Sequence, residues 1–130
     1  MALDIEKEIK IYWILGIIVL IIYGLWLFIS VESYVVVMNY PYFDPIAGRL
    51  VGALFITWAI IMVKLFKEID EWEKIENWIL FSIISNILFV IADIIVIIAY
   101  NIPLGSLIIG NILNIFFVIV GIHIWIQKRK

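Results

Sequence analysis

Along the chain, apolar residues gather into four long runs separated by short polar stretches, covering residues 11–30, 46–66, 78–100 and 104–127. Each run has the length a membrane helix needs. A bilayer's hydrocarbon core is about 30 Å thick, and a helix rising about 1.5 Å per residue crosses it in about 20 residues. A small domain leaves much of its surface in water, so no soluble fold of 130 residues could bury all four runs. The pattern predicts an all-α integral membrane protein, an up-down four-helix bundle forming a single transmembrane domain over residues 1–130.

The polar residues between the runs predict where the helices end. Asp44 followed by Pro45 suits the start of the second helix, a capping carboxylate before a proline whose position needs no N–H. Asn101 and Pro103 do the same for the fourth. From Ala53 to Ile102 there is neither Gly nor Pro, so the second and third helices should run unbroken except for one turn near Ile69 and Asp70. Asp70 and Glu73 have capping-box spacing, and Lys64 and Lys67 fall at the negative end of the preceding helix. Ile69, Trp72, Ile75 and Ile79 follow helical spacing, which sets the start of the third helix against the bilayer interface. The longest connection is expected over residues 31–43, where Tyr34, Tyr40, Tyr42 and Phe43 suit an interfacial aromatic belt.

Polar side chains within a span usually face a partner or a cavity. On the third helix, Trp78, Ser82, Ser85, Asn86, Phe89, Asp93 and Tyr100 share one face, which should point into the bundle while the isoleucine-rich face meets lipid. Asp93 and Asn111 lie about equally far from the turn near Ile102, so they should stand level in the outer half of the bilayer. Arg49 falls within about 5 Å of Asp93 in height, a gap its side chain can cover. Arg49 with Asp93 is therefore the expected ion pair, with Glu32 as a competitor for the arginine and Asn111 in the same layer. Asn86 and Asn114 form a second, mid-depth pair, with Ser82 and Ser85 nearby. An Asp93 without Arg49 would instead stand as a lone membrane carboxylate, the better candidate for a proton or cation site. Gly48 and Gly52 make a GxxxG spacing, weak support for dimerisation, and Gly110, Asn114 and Gly121 share a face of the fourth helix.

Composition sharpens the class. Hydrophobic residues make up 66% of the chain and charged residues 15%, with a mean hydropathy of +1.19, which leaves no room for a second, water-facing domain. Isoleucine fills 33 positions, a composition that points to a thermophilic prokaryote and carries no mechanism. The absence of cysteine excludes disulfides, thiol chemistry, iron–sulfur clusters and cysteine zinc sites. His123 is the only histidine, so a haem held by two histidines within one chain is excluded, and no metal or other cofactor is expected. No basic stripe lies away from the membrane edges, so nucleic acid is not an expected partner.

The basic residues set the orientation. Lys7, Lys10, Lys64, Lys67, Lys74, Lys128, Arg129 and Lys130 flank one side of the four spans, and Arg49 alone lies on the other. Eight against one predicts a multi-pass protein of the cell membrane with both termini cytoplasmic. The first run follows Lys7 and Lys10 as a signal peptide's would. It is longer than a signal-peptide core and has no small-residue cleavage site after it, so it reads as a retained first span.

Around Pro45, Arg49-Leu50-Val51-Gly52-Ala53 and Trp58, about 15 residues of the chain resemble small prokaryotic four-span membrane proteins, including DoxX-like ones. The resemblance implies a four-helix bundle and, from the DoxX-like members, an accessory part in respiratory or redox complexes, although this chain has no redox group of its own. No nucleophile–base pair, metal constellation or phosphate loop is present, so no catalytic residue and no enzyme activity is expected. The leading expectation is a non-catalytic accessory or scaffold subunit, or a homo-oligomer, with the lipid bilayer as its first partner. One alternative is a small transporter or channel using Arg49, Asp93 and Asn111. The chain lacks the mid-membrane glutamate of small drug-efflux proteins in its first helix, and the signatures of fluoride channels. The other alternative is a lipid-binding or lipid-modifying enzyme using Asp93 with Glu32.

Overall fold

The computed structural model describes residues 4–38, 44–101, 105 and 107–129. They form four α-helices: α1 (Ile5–Val37), α2 (Pro45–Leu65), α3 (Trp72–Tyr100) and α4 (Ile108–Lys128), with a short 3-10 turn at Phe66–Glu68 between α2 and α3. Each of the four is long and apolar enough to cross a membrane. Tyr40, Tyr42, Phe43, Pro103 and Lys130 lie outside the described residues.

Local chemistry explains most boundaries. Asp44 caps α2 as expected: its side chain accepts hydrogen bonds from the backbone N–H groups of Ile46 and Ala47, both at 3.0 Å, and Pro45 opens the helix. Three boundaries depart from the sequence reading. The first helix does not stop near residue 30 but continues to Val37 across a kink at Ser30 (φ −135°, ψ 52°). The Ser33 hydroxyl donates to the Ser30 carbonyl at 2.9 Å and accepts the Trp26 indole N–H at 2.8 Å, so side chains replace part of the interrupted backbone ladder.

The second departure is the cap of α3 and not the turn before it, which lies at Ile69 and Asp70 as expected. The residue preceding α3 is Glu71, with no side-chain cap, because Asp70 is held by Lys10 at 2.9 Å instead of folding back onto the helix start. Residues 69–71 are all that is non-helical between the 3-10 turn and α3. The third is α4, which begins at Ile108 rather than near Pro103, after Leu107, which makes no side-chain cap. Asn101 closes α3 in the left-handed conformation (φ 51°), a role asparagine fills more easily than most residues.

The chain divides into two compact units. In the unit made by α1 through Tyr12 and by residues from Glu68 onward, α3 packs along α4. Its core is Ile9, Tyr12, Ile69, Ile75, Ile79, Ile83, Phe117 and Ile124, with Ile75, Ile79 and Ile124 fully shielded at 0% exposure. This corrects the expectation that Ile69, Ile75 and Ile79 lie against the bilayer interface: Ile75 and Ile79 are the best-buried residues of α3, and Ile69 is buried in the turn before it. The ring of Trp72 meets Trp125 edge-on at 5.7 Å, and the Arg129 guanidinium lies 4.4 Å above Trp125. Ile75, Ile79, Ser82, Ile83, Asn86 and Asp93 recur at helical spacing on the less exposed side of α3, while Ile84, Ile87, Leu88, Ile91, Ile94, Ile95 and Ile98 are exposed. Tyr100, expected on the inner face, is exposed.

In the other unit, Trp13–Lys67, α1 and α2 approach until their backbones touch. A Cβ on Gly52 would stand 2.6 Å from the Phe28 nitrogen and 2.8 Å from the Gly24 carbonyl oxygen, and one on Gly48 would overlap Val31. The Gly48/Gly52 spacing is thus occupied within the chain, which removes it as a dimerisation face. Such glycines let helix backbones pack closely where no hydrophobic force drives association. Trp13, 1% exposed, seals the other end and donates its indole N–H to the Met62 carbonyl at 2.8 Å.

Candidate functional site

Polar side chains on the apolar helices fall into three groups, each inside one unit. The first is on the packed part of the α3/α4 unit. Tyr12 and Ser82 share a hydrogen bond of 2.7 Å between their hydroxyls, and the Asn86 amide donates to the Ser82 carbonyl at 2.7 Å and to its hydroxyl at 3.3 Å. Gly121 makes space for this group, since a Cβ there would stand 3.1 Å from the Tyr12 oxygen. Tyr12 was not among the expected site residues. Its only signal in the sequence was a ring carrying a hydroxyl at the head of a long aliphatic run.

The second group is on the α1/α2 hairpin. Arg49 makes a 2.8 Å ion pair with Glu32, both side chains being substantially exposed. The third lies toward the Asn101 end of α3 and α4, where the Asn111 amide donates to the Asp93 carboxylate at 3.0 Å and to the Leu107 carbonyl at 3.0 Å. Asp93 and Asn111 are both half-buried. Each carboxylate thus has a partner from its own hairpin.

Within its own unit Arg49 is engaged by Glu32, its anticipated competitor, and within the other Asp93 is engaged by Asn111. Glu32 and Arg49 sit on consecutive helices joined by one short connection, so their encounter needs no particular arrangement of the remaining helices. The expected Asn86–Asn114 pair is not formed among the described residues. Asn86 turns both amide hydrogens toward Ser82, and Asn114 makes no hydrogen bond among the described residues. Ser85 is half-buried and also makes none among them. His123 does more than sit near a helix end, with its Nε2 lying 3.5 Å from Glu8.

Chemically, the Tyr12–Ser82–Asn86 chain is closed on itself, and the Arg49–Glu32 pair is neutralised. Asp93 is different: a carboxylate on an apolar helix whose only hydrogen-bond partner among the described residues is a neutral amide. Among those residues, no three His, Asp or Glu side chains gather as metal ligands do.

Fold and site together define a chain with four helices fit to cross a membrane, one of which carries a carboxylate, Asp93, whose hydrogen-bond partner among the described residues is a neutral amide. No protein-family model, no curated protein and no solved structure matches it.

Proposed function

We propose that this chain is a multi-pass protein of the cell membrane with both termini cytoplasmic, and that it is a small transporter or channel passing a proton or small cation along the α3/α4 hairpin. The observation that carries this reading is the environment of Asp93. Among the described residues its hydrogen-bond partner is the neutral Asn111 amide, and Arg49 is paired with Glu32 within its own unit. Ionisable side chains in a span without a counter-charge mark ion or proton paths more often than packing contacts. Reconstituted into liposomes, the wild-type chain is expected to dissipate an imposed proton or sodium gradient, and Asp93→Asn to lose most of that flux. A folded Asp93→Asn variant that conducts like wild type would reject the reading.

The orientation follows the basic residues: all but Arg49 flank the side carrying both ends of the chain. The chain has no native cysteine, so single introduced cysteines report one position each. A membrane-impermeant maleimide is expected to label cysteines at Glu73 and Arg129 from the cytoplasmic side alone, and one at Tyr42 from outside. Labelling of the Tyr42 and Glu73 positions from the same side would sink the four-span topology.

A second reading, an accessory or scaffold subunit or a homo-oligomer, is supported by the Tyr12–Ser82–Asn86 and Arg49–Glu32 contacts, which join helices, and by the DoxX-like resemblance. It predicts co-purification with a stable partner and no flux of its own.

A further inference from the structure

We propose that Asp93, Asn111 and Asn114 bind a dehydrated monovalent cation at the Asn101 end of the α3/α4 hairpin. This rests on the reading of Asp93 as an ion site and adds that the ion is a metal cation rather than a proton.

Donors and acceptors there are unbalanced. The Asn111 amide has two hydrogens: one goes to Asp93 Oδ2 and the other to the Leu107 carbonyl, both at 3.0 Å. Its Oδ1 is left as an acceptor. Asp93 receives its bond at Oδ2, which leaves Oδ1 open. Asn114 stands one helical turn along α4 from Asn111, close enough for residues three apart to be neighbours, and its amide is uncommitted among the described residues. Three oxygens, one of them charged, are thus available with no N–H left over at Asn111 to satisfy them. Asn86, two turns from Asp93 on the same side of α3, repeats the arrangement with both hydrogens turned to Ser82.

Carboxylate and carbonyl oxygens suit hard cations. A single carboxylate matches a single positive charge, whereas divalent ions are usually held by more. There is room as well, because nothing lies within 4 Å of where a Cβ on Gly110, one turn before Asn114, would sit. Asp93 and Asn111 are themselves only half-exposed on helices that are otherwise apolar, so the attraction between cation and carboxylate is less screened than in open water.

The purified full chain in detergent tests this by thermal unfolding in lithium, sodium or potassium chloride against choline chloride at matched ionic strength. In wild type the unfolding midpoint is expected to rise with one of the alkali cations and to saturate. The rise should vanish in Asp93→Asn and be much reduced in Asn114→Leu, which leaves the Asp93–Asn111 bond intact and carries the test if Asp93→Asn does not fold. Equal midpoints in alkali and choline salts would overturn the cation site, as would an undiminished cation-specific rise in either variant. A midpoint that responds to pH but to no particular cation would also overturn it, while proton flux in liposomes would still decide the transport reading separately.

Discussion

Replacing Gly52 with alanine is expected to destabilise the protein by about 3 kcal/mol, the upper end of the usual overpacking range. The reason is what the new methyl group meets. The nearest atoms are the Phe28 nitrogen at 2.6 Å, the Gly24 carbonyl oxygen at 2.8 Å and the Leu27 carbonyl carbon at 3.0 Å, all of them backbone. A side chain can rotate away, but these atoms move only if α1 shifts as a whole. That shift would separate the helices along their closest line of approach and loosen the packing above and below it. Gly110→Ala is the matched control: its Cβ enters open space, so its stability should stay within about 0.5 kcal/mol of wild type. Unfolding in mixed micelles with increasing denaturing detergent measures both. Equal effects at the two glycines would show that α1 and α2 do not meet through Gly24 and Gly52.

Trp13→Leu is expected to cost about 2–3 kcal/mol, at the low end for loss of a large buried side chain. The discount has a physical origin. In a bilayer the alternative environment for an apolar group is lipid rather than water, so little transfer free energy is at stake when the side chain is cut back. What remains is the cavity and the lost hydrogen bond. Trp13 is 1% exposed, so lipid tails cannot readily refill its volume. The hydrogen bond is the smaller part, since the Met62 carbonyl keeps the backbone N–H of Phe66 as a donor. Ile22→Ala, at a position 55% exposed, removes an outward-facing group and should change stability little in the same assay. A cost at Ile22 matching that at Trp13 would mean that the exposed isoleucine face is packed against protein.

The two variants probe what was hardest to read from the chain. Gly48 and Gly52 have the spacing of a helix-packing motif, but that spacing is the same whether the partner is another copy or the preceding helix. Only the approach of Gly24 and Phe28 distinguishes the two. Arg49 posed the same difficulty. Glu32 and Asp93 were both within its reach in depth, and counting residues along helices gives height but not azimuth. Tyr12 was invisible as a hub because its hydroxyl partner, Ser82, lies 70 residues away on another helix.

Those failures share a cause that the successes lack. The number of helices long and apolar enough to span a membrane, the Asp44–Pro45 start of α2, the lysines near its end and the less exposed stripe of α3 all depend on neighbours within a few turns. A sequence specifies these directly, because helical periodicity and capping are short-range properties. The kink at Ser30 and the late start of α4 were missed because continued helix and open turn differ by little in local preference, so packing settles the choice. Which polar groups find each other was decided by tertiary structure alone. Hydrogen bonds and ion pairs act over about 3–4 Å, and which atoms come that close depends on how the helices are rotated about their axes.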